Sequence, residues 1–471
     1  MKKRPLILIH GWSADSDSMK PLAKWLKVKG FGIVEIDLAD YISMQDEITL
    51  PDLGLAMRNA LTNKKIEQTR HSFDVVTHST GALVAREYLR QVCDGDASRT
   101  PIRHLCMLAP ANFGSPLAKL GKSFTGRLFN GWKMDGFLET GTQILNALEL
   151  ASPYTFDLAM DDLFRDGYNL FDPANTLATV LTGTAPYGDT LSEKLMSIAH
   201  ENGSDGVVRV STANLNARYF KVDFEKALRE RCIHVAPAHH EIAFAVFNHN
   251  HGSITKPSDG RRATPEFRKA ILDSLTLEST EYTAHCKSCA EITDATYESL
   301  RQADPKSETC HLYQHVVFRV RDQFGAPIND YFIEFYQEAN DRDDRVLRKI
   351  QTDILEKVVT NSTMPNHRSF LFDITDMDKF LKTEHAEVRM SIFAANVSKE
   401  IHIHAPNKKQ YVTVFSGRDF PCGNFPGFAD ILDQRGFRFP NQTTLIDITL
   451  HRAPQPNVFK LATHTDPKPG E

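Results

Sequence analysis

The sequence predicts an α/β domain with a mostly parallel sheet, helices on both faces and a helical insertion, followed by a C-terminal all-β sandwich. Three observations carry this. Strand-like and helix-like runs alternate through the first half, as parallel strands joined by crossover helices do. The alternation breaks near Pro116, where large apolar residues are scattered among glycines and charges. Past residue 312 the apolar pattern alternates in short runs separated by turn residues.

The elements follow in order. Pro5-Leu6-Ile7-Leu8-Ile9 is a short apolar run, as in a strand covered on both faces. Residues 19–29 carry Leu22, Trp25, Leu26 and Val28 at helical spacing, and Gly30 ends the helix. A second strand at 31–38 precedes a helix at 52–66 with Leu53, Met57, Ala60 and Leu61 on one face. A strand at 73–77, a helix at 82–92 and a strand at 102–108 continue the alternation. The insertion, 117–172, carries Phe124, Phe129, Trp132, Phe137 and Leu145 with Gly121, Gly126, Gly131, Gly136 and Gly141 between them. Such a segment suits a lid over an apolar pocket, with glycines as hinges, or simply packs on the core. Strand signals resume at 177–182 and 218–222, residues 242–247 are ambiguous, and 265–277 reads as a closing helix.

The expected domains are therefore 1–277, a polar linker or small connecting unit at 278–312, and a sandwich at 313–471. In the last, Val316, Phe318 and Val320 alternate with Val317, Arg319 and Arg321. Tyr331, Ile333 and Phe335 repeat the pattern, and further runs lie at 370–374, 388–393, 401–403, 411–415 and 445–450. His402 and His404 read as a solvent-facing pair on one strand.

Composition narrows the function. The 471 residues are 41% hydrophobic and 24% charged, which argues against a largely disordered chain. Lys+Arg 55 against Asp+Glu 60 leaves a net charge of -5, so no basic footprint points to nucleic acid. No run approaches the ~20 apolar residues of a transmembrane helix. The apolar run at residues 6–9 is too short for a signal-peptide core, so a cytoplasmic location is expected, with signal-independent export left open. Seven cysteines are too few for a disulfide scaffold. Cys286, Cys289, Cys310 and His311 loosely match zinc-ligand spacing, but a second C-x2-C is missing. Unpaired thiols are the expectation, with no metal and no cofactor.

The central motif is Thr77-His78-Ser79-Thr80-Gly81, between a strand and the helix opening Ala82-Leu83-Val84-Ala85-Arg86. A nucleophile elbow requires this strand-turn-helix setting, with small residues around the turn. Thr77 stands where the G-x-S-x-G pattern has its first glycine. His78 reads as a packing or pocket-lining residue. His10-Gly11-Trp12 closes the first strand, and Leu108-Ala109-Pro110-Ala111-Asn112-Phe113-Gly114-Ser115-Pro116 follows the fourth. On these residues, roughly 1–275 resemble an α/β-hydrolase, and more narrowly a bacterial lipase/esterase of the lecithin:cholesterol acyltransferase-like type. No family resemblance is assigned to the C-terminal half.

The resemblance implies a Ser, then acid, then His order along the chain. It makes Ser79 the nucleophile and the backbone N–H groups of Trp12 and Thr80 the oxyanion donors. It places the acid at Asp205, in Gly203-Ser204-Asp205-Gly206-Val207-Val208, with Asp189 in reserve. The histidine is expected at His251, before Gly252-Ser253-Ile254, with His240 and His249 as the main alternatives and His234 and His239 in the same region. The implied activity is a serine carboxyl-ester hydrolase that cleaves hydrophobic acyl esters. A phospholipase A or lysophospholipase is the enzymatic alternative, and an inactive lipid-binding or interaction protein the alternative of another class. The expected partner is a hydrophobic ester or lipid, with a lipid-surface contact open to the sandwich.

Overall fold

A computed structural model describes residues 4–11, 19–36, 47–118, 141–185, 201–223, 232–237, 240–258, 262–337, 350–384, 388–394, 420–421 and 438–450. Every structural statement concerns these residues. The chain opens with β1 (Leu6–Ile9), α1 (Lys20–Val28), β2 (Ile33–Ile36), α2 (Leu50–Asn63), β3 (Phe73–His78), α3 (Gly81–Cys93) and β4 (Ile102–Leu108). From the insertion come α4 (Thr142–Leu148) and α5 (Pro153–Asp162), followed by β5 (Leu177–Gly183). Next are β6 (Arg218–Asp223), β7 (Cys232–Val235), β8 (Ala243–Phe247), α6 (Pro265–Thr276) and α7 (Tyr282–Ala303).

Six strands form a parallel sheet in the order β2-β1-β3-β4-β5-β8. Every residue of β1, β3, β4 and β5 is buried, as the continuous apolar runs require. Alternate residues serve opposite faces. Leu6, Leu8 and Val76 pack with Leu22 and Leu26 of α1, Phe267 and Ile271 of α6, and Cys286 and Cys289 of α7. Ile7, Ile9 and Val75 pack with Leu53 and Met57 of α2, Leu83 and Tyr88 of α3, and Phe156 of α5. The sheet is thus sandwiched between helices.

The remaining elements are β9 (Tyr313–Asp322), β10 (Tyr331–Gln337), β11 (Leu355–Thr360), β12 (His367–Asp373), α8 (Ile374–Glu384), β13 (Val388–Ala394), β14 (Phe420–Pro421) and β15 (Thr443–Leu450). They make a three-stranded sheet, β10-β13-β14, and most of a six-stranded one, β11-β12-β9-β15-β6-β7. Phe318, Val320, Ile333, Phe335, Phe370, Phe372, Ile446 and Ile448 fill the core between them. The sandwich differs from an all-β antiparallel one in two ways. It carries α8, and β15 runs parallel to both β9 and β6.

The large sheet borrows β6 and β7 from the first half of the chain, because both its faces are apolar. Tyr219, Val317 and Leu445 face the core of the parallel-sheet domain, while Phe220, Val222, Val316 and Ile446 face the sandwich core. The polar stretch after α6 is not extended. Its helix α7 covers the edge strand β8 and takes up its ladder donors. The Tyr282 hydroxyl accepts from the Ala243 N–H (3.1 Å), and Thr293 Oγ1 accepts from the Val246 N–H (3.0 Å). The runs expected at 401–403 and 411–415, with His402 and His404, lie outside the described residues, as do residues 119–140 of the insertion.

Candidate active site

The candidate residues gather where an open parallel sheet binds its ligands, at the carboxyl ends of the strands. Ser79 follows β3 with φ +55°, a left-handed conformation strained for a side-chain-bearing residue. Its N–H donates to the Leu108 carbonyl (3.0 Å), and its own carbonyl accepts from Ala82 (3.2 Å) and Ala111 (3.4 Å). The turn is therefore fixed from β4, from α3 and from the loop after β4. Glycines make the surrounding backbone fit. A Cβ on Gly81 would stand 2.7 Å from the Ile9 carbonyl oxygen, so α3 starts directly against the end of β1. A Cβ on Gly11 would meet Ser79 Cβ at 2.8 Å and Oγ at 3.3 Å, so the turn after β1 borders the hydroxyl. Thr77 fits in place of the usual glycine as the last-but-one residue of β3, fully buried between Ile9 and Met107.

Thr80 takes helical geometry at the start of α3, where first-turn N–H groups have no partner within the helix. Trp12 lies outside the described residues, as do Asp189 and His239.

Asp205 is fully buried. Its Oδ1 accepts from the backbone N–H groups of Val207 (2.9 Å) and Val208 (2.7 Å). Its Oδ2 lies 2.8 Å from His251 Nδ1. The His251 N–H donates to the Asp205 carbonyl at 3.0 Å, so acid and histidine are joined twice. With Nδ1 facing a carboxylate, Nε2 is the basic nitrogen. His78 links this pair to the elbow, its Nε2 lying 3.0 Å from the His251 carbonyl oxygen.

The other histidines are placed differently. His249 is buried, 3.0 Å from Ser253 Oγ through Nδ1 and with its ring 4.3 Å from that of Phe267, tilted by 38°, and burial lowers its pKa to about 4. His240 is exposed and faces Asp172 at 3.4 Å, away from Asp205. His234 packs on Phe220, also with a pKa pushed down by burial to about 4.

One further residue of the site, Gly183, belongs to no motif. At Gly183, a Cβ would fall 2.1 Å from the His249 carbonyl oxygen and 3.1 Å from Asp205 Cβ. The loops bearing Asp205 and His251 cross at a place where only a hydrogen fits. A glycine ending a buried strand was the available clue.

The zinc spacing does not assemble. Cys286 and Cys289 sit on α7 inside the apolar core, and burial pushes both thiols up to about 12, unfavourable for metal-binding thiolates. The Cys310 thiol donates to the Ser307 carbonyl (2.8 Å). His311 instead groups with Asp373 and Asp376. Internal partners engage that group: His311 Nδ1 lies 2.5 Å from Asp373, and Lys379 pairs with Asp376 at 2.6 Å.

The architecture is an α/β-hydrolase fold carrying a C-terminal β domain. Phospholipase PlaB from Legionella pneumophila shares it with a TM-score of 0.77 and 23% identity, over 99% of this chain and 98% of that one. The same phospholipase in complex with thio-NAD gives 0.75 and 22%, over 99% and 97%. No protein-family model matches the chain, and no curated protein matches it in sequence. Among the described residues, no helix is long and apolar enough to cross a membrane.

Proposed function

We propose that the protein is a serine carboxyl-ester hydrolase acting on hydrophobic acyl esters, through an acyl-enzyme on Ser79. The observation that carries this reading is the Asp205–His251 pair, 2.8 Å apart, fastened to the elbow that presents Ser79. A serine hydroxyl is a weak nucleophile near neutral pH, so His251 Nε2 takes its proton as Oγ attacks the ester carbonyl. Asp205 holds the imidazole in the Nδ1–H tautomer and stabilises the imidazolium. The Thr80 N–H, with that of Trp12 as second donor, meets the negative charge on the carbonyl oxygen. Loss of one such donor typically removes about 3 kcal/mol of transition-state stabilisation. The imidazolium returns its proton to the departing alcohol, and water then releases the acid by the same route.

A fold neighbour that matches along nearly the whole length is a phospholipase, which favours phospholipids and lysophospholipids as first substrates to try. The reaction needs no cofactor. Turnover of p-nitrophenyl esters, phospholipids and lysophospholipids by the wild type and by S79A tests the proposal. Turnover by the wild type alone supports it. Equal turnover by both refutes the role of Ser79, and none by either favours the inactive binding protein.

A further inference from the structure

His78 directly precedes Ser79 and is only 5% exposed. The His251 carbonyl beside its Nε2 can only accept, so Nε2 carries the proton and donates. The two imidazole rings lie 4.6 Å apart between centroids, tilted by 42°. Nδ1 of His78, a lone-pair acceptor in this tautomer, is buried without a hydrogen-bond partner. Burial disfavours a proton there, and charge on His251 or on His10 at the end of β1 would oppose one further. His78 thus stays neutral while its neighbour takes and returns a proton.

The other two hydrogen bonds of His251, from its N–H and at Nδ1, both run to Asp205. They lock acid and base into one unit, and the crossing at Gly183 sets that unit against the end of β5. The bond from His78 joins the unit to the last residue of β3, which Ser79 directly follows.

We infer that His78 is a positioning residue: its Nε2–H fixes the Asp205–His251 unit at the distance from Ser79 Oγ that proton transfer needs. This rests on the reading of Ser79 and His251 proposed above. A misplacement of about 1 Å at a reacting centre costs on the order of 10²-fold in rate.

Three variants test it by steady-state kinetics. Gln carries an amide N–H at the reach of the imidazole Nε2, Asn carries one that falls short, and Leu carries none. H78L and H78N should lose kcat on the order of 10²-fold with KM unchanged, and H78Q should recover at least roughly tenfold of that loss. The downfield proton resonance of His251 Nδ1–H should persist in H78N, because the Asp205 bond does not depend on His78. A purely structural residue would instead lose that resonance together with activity. Equal kcat for H78Q and H78N, or wild-type kcat in H78L, overturns the proposal alone. Turnover retained by S79A overturns the underlying reading and this proposal with it.

Discussion

Replacing Gly183 by alanine adds one methyl group where the two loops of the candidate site cross. That methyl would lie 2.1 Å from the His249 carbonyl oxygen, 2.8 Å from the carbonyl carbon and 3.1 Å from Asp205 Cβ. Even close carbon–oxygen contacts run at about 3.3 Å, so the His249 backbone must retreat by roughly 1 Å. It cannot do so freely, because the same carbonyl accepts the Ala185 N–H at 3.0 Å. His251 lies two residues on and moves with it, which changes its placement relative to Ser79. The expected loss is on the order of 10²-fold in kcat/KM. Overpacking should also remove about 1–3 kcal/mol of stability. Gly183 does not have a positive φ, so backbone strain in alanine contributes nothing to either effect. The assay is p-nitrophenyl ester turnover beside a urea melt. Wild-type kcat/KM in G183A would refute the reasoning that this crossing sets the geometry of the site.

D205N keeps an oxygen for the Val207 and Val208 N–H groups but turns an amide towards His251, favouring the wrong tautomer; kcat should fall on the order of 10⁴-fold with an unchanged circular dichroism spectrum. Arg86 and Asp162 form a buried bidentate pair at 2.7 and 2.9 Å between α3 and α5, so D162A should destabilise the fold by about 3–5 kcal/mol in urea, and a loss below about 1 kcal/mol would contradict this. Burial lowers His249, His285 and His367 each to about 4 from an ordinary 6.5. Between those values the unfolded chain binds more protons, so stability is full above 6.5 and falls as pH drops towards about 4, by up to about 1.4 kcal/mol per group per pH unit. His311, raised by its bond to Asp373, acts in the opposite sense and is outnumbered by the lowered histidines. Equal urea midpoints at about pH 7 and about pH 5 would contradict this.

The parallel sheet is legible in the sequence because each buried strand is a local apolar run bounded by turn residues; β4 falls at 102–108, as its run indicates. The elbow is legible for the same reason, since strand, serine and helix are contiguous. Long-range pairing is not written locally. Residues 218–222 read as a strand, but nothing near them shows that they lie against β15, more than two hundred residues later. The second helix starts at Leu50 because Thr49 and Asp52 form a capping box, a signal upstream of its apolar face. Helix α8 follows β12 with no loop between them, its first turn capped by Asp373, so no turn residue announces the change. The C-x2-C spacing at Cys286 and Cys289 suggests ligands, yet on a helix it is one turn of a core-facing stripe. The choice of His251 over His249 and His240 rests on the Gly-Ser-Ile that follows it; burial and partners, which separate the three in space, leave no mark in sequence.

The central claim is that one serine, in a strained turn, is activated by a histidine that a buried carboxylate orients. The most direct measurement is mass spectrometry of the protein after reaction with a fluorophosphonate. The account predicts a single adduct, on the peptide carrying Ser79, formed quickly by the wild type and slowly by H251A. An adduct on another residue, or formation at the same rate without His251, would contradict it.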